Sequence, residues 1–131
     1  MDDPLYRELL MEFWENPKNY GELKNPDIDV TKLNPLCGDK VRIMAKVKKG
    51  KIEEVAFTCQ SCVVAKALAS QLTIIAKGMK VKDFVKMKPE KFLATMEMGF
   101  SPVRMKCALL GFTTLKSALA KKIDLPSDTT L

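Results

Sequence analysis

The sequence contains no histidine. Serine–histidine–aspartate catalysis and any metal site built on imidazole are therefore excluded. No apolar run approaches the roughly 18 residues that signal a membrane-crossing helix, so no membrane partner is expected. The opening Met1-Asp2-Asp3-Pro4 is acidic and lacks the basic start and apolar stretch of a secretion signal. A cytoplasmic location is the resulting expectation. Aromatic residues are few, 7% of the chain, and do not interleave with the lysines as a base-stacking surface requires. No nucleic-acid partner is expected. Cysteine is scarce, with four in 131 residues. A chain of this size does not need disulfide staples, so free or metal-bound thiols are the better reading.

Apolar residues make up 47% of the chain and charged residues 29%, a balance that supports a buried core. One domain over residues 1–131 is expected, with 1–4 and 126–131 frayed. The formal net charge is +6. Lysines are spread throughout and densest at Lys46, Lys48, Lys49 and Lys51. That group reads as a solvated hairpin surface, with a docking face for an acidic protein as the alternative.

Apolar residues at Leu5, Leu9 and Phe13, flanked by Tyr6, Leu10 and Trp14, predict an amphipathic helix from Leu5 to Asn16. Pro4 suits its first turn and Pro17 stops it. Lys18 to Pro35 is rich in Asn, Pro, Gly and Asp and reads as loop, with an edge strand at Ile28 to Leu33. Val41, Ile43, Ala45 and Val47 alternate with Arg42, Met44, Lys46 and Lys48, the period of a half-buried strand. Lys49-Gly50 is a turn signal, and a second strand from Ile52 to about Thr58 completes an antiparallel hairpin. Helical spacing begins after Cys62, and Gly78 ends that helix. Short helices follow at Val81 to Lys86 and from Pro89, the second with Phe92, Leu93 and Met96 on one face. A long one runs from about Val103 to Lys122. The expected class is α+β: a small antiparallel sheet of about three strands, an N-terminal helix, and several C-terminal helices packed on one face.

Each cysteine falls at an element boundary. Cys37 lies in Asn34-Pro35-Leu36-Cys37-Gly38-Asp39, just before the first long strand. Cys62 precedes a helix, and Cys107 falls in the opening turns of another. Unpaired N–H groups at a helix start favour the thiolate, the form that binds metal or attacks a persulfide. Gly38 permits a tight turn that aims Cys37 and Asp39 at one point. Sulfur suits zinc or iron–sulfur units, whereas a carboxylate oxygen is harder and holds them less firmly. Such a mixed set retains a cluster yet allows it to leave. Taken singly the signals are weak: a lone cysteine is more often a small buried hydrophobe, and Asp39 more often a turn residue. Cys59-Gln60-Ser61-Cys62 matches a C-x-x-C pattern, but no second pair accompanies it.

Four segments together resemble the U-type iron–sulfur scaffold family, which comprises IscU, SufU and the N-terminal domain of NifU. They are Glu15 to Leu23, Asn34 to Asp39, Cys62 with Ala67 to Thr73, and Pro102 to Leu110. The resemblance runs from about residue 5 to residue 122, in order and at family-like spacing. It implies a SufE/NifU-like fold, with Cys37, Asp39, Cys62 and Cys107 as ligands to a metal or nascent cluster. It implies sulfur delivery by a cysteine desulfurase as a persulfide to Cys107, assembly of a labile [2Fe-2S] cluster from supplied iron, and transfer to recipient apo-proteins. The alternative within the resemblance is a SufU-like sulfur acceptor holding Zn2+ at the same residues. Several positions depart from the family. Lys106 replaces the histidine that IscU has before its third cysteine, as in SufU. Yet the 45 positions from Cys62 to Cys107 match IscU and leave no room for the SufU insertion. Ser61 replaces a usual glycine. Phe100-Ser101-Pro102-Val103-Arg104 stands where IscU has Leu-Pro-Pro-Val-Lys, so an Hsp70-type chaperone partner is left open. Cys59 is an extra cysteine, either a core residue of its strand or a substitute fourth ligand. Lys106 is either a solvated side chain or a charge acting on a neighbouring thiol or on Asp39.

Overall fold

A computed structural model describes residues 8, 11–12, 14–34, 38–60, 63–95 and 102–122. Three antiparallel strands form a meander in the order β1 (Ile28–Asn34), β2 (Asp39–Lys48) and β3 (Lys51–Gln60). The helices α1 (Val63–Ala76), α2 (Val81–Lys86), α3 (Pro89–Ala94) and α4 (Pro102–Lys122) follow. Before the sheet, Glu8, Met11, Glu12, Trp14 and Glu15 are helical, and the Asn16 N–H closes on the Glu12 carbonyl at 2.8 Å. Leu5, Leu9, Phe13 and Met96, assigned above to helical faces, lie outside the described residues, as do both chain termini. Among the described residues, no helix is long and apolar enough to cross a membrane.

The alternation read from the sequence orients the sheet. Val41, Ile43 and Ala45 of β2, with Val55 and Phe57 opposite them on β3, face the helices and are buried. The hairpin turn carries positive φ at both Lys49 (53°) and Gly50 (75°). Two left-handed residues match the twist of the flanking strands, and glycine takes the second without strain. β2 and β3 reach further than the alternation indicated, to Asp39 and to Gln60, so Cys59 lies within a strand.

The second sheet face differs from expectation. Met44, on the side assigned to solvent, is fully buried. The segment after Pro17 runs along the neighbouring edge of the sheet. Tyr20 pairs with Phe57 along the β3 edge, and the Gly21 N–H donates to the Phe57 carbonyl at 2.9 Å. A shallow cleft joins Gly21, Glu22 and Leu23 to Glu54, Val55 and Ala56. Arg42 on that face pairs with both Glu22 and Asp29, which ties the segment to the sheet. A run rich in loop-forming residues thus extends the β3 edge, which alternation within β2 could not reveal.

On the other side α1 packs on the sheet and against α4, which lies on the sheet beside it and places Gly111 against Leu72 and Ile43. Its alanines Ala65, Ala67, Ala69 and Ala76 allow close approach. Its buried hydroxyls have defined partners. Ser70 Oγ accepts the Lys18 N–H at 2.7 Å, and Thr73 Oγ1 accepts from Asn19 Nδ2 at 2.9 Å. Phe112 of α4 stacks on Phe92 at 4.9 Å and meets Phe84 edge-on at 5.5 Å, which docks α2 and α3.

Candidate metal centre

Asp39 opens β2 and Gln60 ends β3, and the register pairs Lys40 with Gln60. The loop after β1 and the link into α1 therefore leave from one end of the sheet, opposite the hairpin turn. At that end the Gly38 N–H donates to the Asn34 carbonyl at 2.8 Å, and Gly38 has φ 73°. Gly38 takes this left-handed conformation without strain because it has no side chain.

Asp39, Val41 and Cys59 share the helix-facing side of the sheet, because side chains alternate along a strand and Val41 stands opposite Cys59. Asp39 is 4% exposed, an unusual state for a carboxylate, and Cys59 is half-buried. The core and ligand readings of Cys59 thus meet at one place, since a core-facing position at this end of β3 is also a position beside Asp39. Among the described residues no buried side-chain nitrogen or oxygen lacks a hydrogen-bond partner.

Cys107 belongs to α4. A methyl group placed on Gly111 would meet Ile43 Cδ1 at 3.6 Å and Leu72 Cδ2 at 3.5 Å, so Gly111 lies over the middle of β2. Later in the helix, Phe112 and Lys116 reach α2 and α3, which attach at the hairpin turn through the Val81 N–H to the Gly50 carbonyl. The helix start therefore points toward the Asp39 end, and Cys107 faces inward one turn before Gly111, 4% exposed. α4 begins at Pro102, one residue before the expected Val103, and Cys107 lies in its opening turns, in the second of them, past the first four unpaired N–H groups. Lys106 is exposed, as its solvated reading requires.

Cys37 and Cys62 lie outside the described residues. Among the described residues no three Cys, Asp, Glu or His side chains gather as a metal-binding group. What is described at this end is one carboxylate and one thiol, both almost out of solvent, with a second thiol beside them on β3.

Further groups surround this end that no sequence pattern marks. Lys66 of α1 sits over the Trp14 ring at 4.2 Å and near the Tyr20 ring at 5.2 Å, and the Tyr20 hydroxyl lies 3.5 Å from the Cys59 carbonyl. Trp14 and Tyr20 are the more exposed faces of this stack, at 39% and 47%. On the outer sheet face a pocket of about 310 Å3 is lined by Tyr20, Lys40, Arg42 and Cys59 among others. Cation–π contacts between separate segments carry no sequence periodicity, so no single-chain pattern could have found them.

The family described as "NifU-like N terminal domain" matches residues 5–124. The zinc-dependent sulfurtransferase SufU of Bacillus subtilis (strain 168) is 30% identical over 92% of this chain and 92% of its own length. The iron–sulfur cluster assembly enzyme IscU of Drosophila melanogaster is 35% identical over 88% of this chain and 77% of its own. Among solved structures, a nitrogen-fixing NifU-like protein (N-terminal) from Brucella abortus superimposes with a TM-score of 0.74, covering 91% of this chain and 94% of that one at 21% identity. The last likeness concerns the fold alone.

Proposed function

We propose that this chain, which belongs to the NifU-like N-terminal domain family of U-type iron–sulfur cluster scaffolds, accepts sulfur from a cysteine desulfurase, assembles a labile [2Fe-2S] cluster and passes it to apo-proteins. One observation carries the reading: Asp39 and Cys107, far apart in sequence, are both turned inward and 4% exposed at the same end of the sheet. Cys37 is two residues from Asp39, and Cys62 is two residues from Gln60, which pairs beside Asp39 at Lys40. Two residues span at most about 7 Å, so both thiols are tethered within reach of that end.

Three thiolates and one carboxylate fit either zinc or the iron of a cluster. Cys37, Cys62 and Cys107 would supply sulfur ligands and Asp39 the oxygen ligand. The cluster is cargo, and the oxygen ligand is the weaker hold that lets it leave. Sulfur arrives as a desulfurase persulfide. The Cys107 thiolate attacks the outer sulfur, a new S–S bond forms on Cys107, and the desulfurase thiolate departs, with no net oxidation. An external donor then supplies the electrons that reduce this sulfur to sulfide. Burial of Cys107 shields the thiol and makes delivery depend on docking.

A second reading is favoured by two observations: Lys106 before Cys107, and the similarity over 92% of both chains to a protein named as a zinc-dependent sulfurtransferase. Here the same four residues hold zinc, which when bound keeps the thiolates deprotonated and closes a tetrahedral centre. The chain then acts as a sulfur acceptor.

The test is anaerobic incubation with iron, cysteine, a reductant and a cysteine desulfurase, followed by visible absorption and metal analysis. Sulfide-to-iron charge-transfer bands are expected. A colourless protein with one zinc that stimulates desulfurase turnover would replace the scaffold reading with the acceptor. Cys107→Ser should abolish persulfide transfer, and retained transfer would remove Cys107 from that role. Asp39→Ala should lengthen cluster lifetime, and faster loss would refute the account of lability.

A further inference from the structure

At the end of the domain away from Asp39 lies an open groove of about 660 Å3. Its floor is Met79 and Met87, both half-buried against the core, and its rim is Lys86, Lys88 and Lys91, all exposed. The segment 77–91 holds six lysines against Asp83 and Glu90, a net +4 out of +6 for the chain. The hairpin turn adds to it. Lys51 bridges to Lys80, and the Ile52 N–H donates to the Met79 carbonyl at 2.8 Å, so the hairpin lysines and those of segment 77–91 lie side by side. No ion pair among the described residues engages Lys86, Lys88 or Lys91. The groove is also rigid at its base, because buried Lys116 of α4 donates to the Met87 carbonyl at 2.8 Å.

We propose that this groove docks an acidic, extended segment of a partner protein through an apolar anchor set on Met79 and Met87 and carboxylates paired with Lys86, Lys88 and Lys91. Methionine surfaces adapt to varied apolar side chains, and lysine rims steer acidic ligands. Asp83 and Glu90 break the positive field. That disfavours a uniform polyanion such as duplex nucleic acid or a lipid surface and favours a peptide of mixed pattern. Lysine rather than arginine, with no exposed aromatic in the groove, points away from phosphate and base recognition as well. The site lies at the opposite end of the sheet from Cys107, so a partner held here leaves the candidate metal centre open to another protein.

The test uses the full chain and a fluorescein-labelled peptide of glutamates and aspartates around a central Leu-Phe pair, read by fluorescence anisotropy. Saturable binding is expected. The triple variant K86E/K88E/K91E should weaken it at least tenfold, and the equally charge-reversed K18E/K32E/K40E should change it less than twofold. Replacing Leu-Phe in the peptide by Ser-Ser should weaken binding several-fold. In amide spectra Met79 and Met87 should shift while Asp39 and Cys107 do not. Equal loss in both triple variants would reduce the effect to net charge and overturn the proposal. Tighter binding of duplex DNA or phosphatidylglycerol vesicles, released by the same triple variant, would also overturn it by assigning the surface to another class of ligand.

Discussion

At one end of the sheet Asp39 and Cys107 are each 4% exposed, while at the other Lys48, Lys49, Lys86 and Lys88 all stand in water. The first end turns reactive groups inward from three elements. The second turns charge outward from backbone that is held firmly: Phe112 stacks between α2 and α3, and Lys116 fixes the turn between them. α4 runs through both ends. The contrast places aromatic packing in the second half of that helix and the proposed ligand Cys107 in the first. A substitution near Phe112 should then change stability without changing ligand identity, and one at Cys107 the reverse.

The largest test of that division is Phe112→Ala. The ring is fully buried and touches both Phe84 and Phe92. Its loss should cost about 3–5 kcal/mol, measured by urea unfolding. Metal stoichiometry of the variant that remains folded should be unchanged. A proportional loss of metal would show that the two ends are one cooperative unit with respect to the site.

Lys116→Met follows. The methionine keeps the apolar stem but leaves the Met87 carbonyl without its donor. The expected cost is about 1–3 kcal/mol, smaller than for Phe112 because relief from burying a charge offsets part of it. A stabilised variant would mean that desolvation of the lysine outweighs its hydrogen bond.

How much of this was legible in the sequence depends on the range of the interaction. α2 at Val81–Lys86, the turn at Lys49-Gly50 and the start of α3 at Pro89 were readable, because proline, glycine and apolar spacing act within a few residues. The burial of Met44 was not, since alternation along a strand does not say what covers its second face. Asp39 and Cys107 stood out only through their motifs. That both are buried at one sheet end follows from the register of Lys40 with Gln60 and from Gly111 packing on Ile43, which are long-range facts. The start of α4 was readable to within one residue, because Pro102 marks it locally. Lys116 reads as a surface lysine in any linear scan, yet it is 1% exposed.

Gly111 lies on α4 between the two ends and tests the junction. A methyl group there would sit 3.5–3.6 Å from Leu72, Ala69 and Ile43, ordinary contact distances. The position has no need of glycine's left-handed freedom, since it is mid-helix. Gly111→Ala should therefore gain up to about 1 kcal/mol from helix propensity, seen as a raised urea midpoint. A loss would show that α4 must sit closer to β2 than these distances indicate.

The smallest expected effect belongs to the outer sheet face, outside both ends. The hydrogen bond from Arg42 holds the Asp29 carboxyl below the usual carboxylate range, helped by the charge of the guanidinium and opposed slightly by burial. Arg42 itself is pushed further up, by Asp29 first and Glu22 second, and stays charged throughout. A depressed carboxyl stabilises the fold at pH values above its unfolded value of about 3.9, and that contribution fades as pH falls through the folded value. Asp29→Asn should thus lower the melting temperature at pH 6 and converge with the parent chain as pH falls through the folded value of Asp29, below which both lack the charge. Because the pair is exposed, the difference should also shrink in high salt. A gap that persists unchanged at low pH would mean that Asp29 holds the segment around Glu22 by shape rather than by charge.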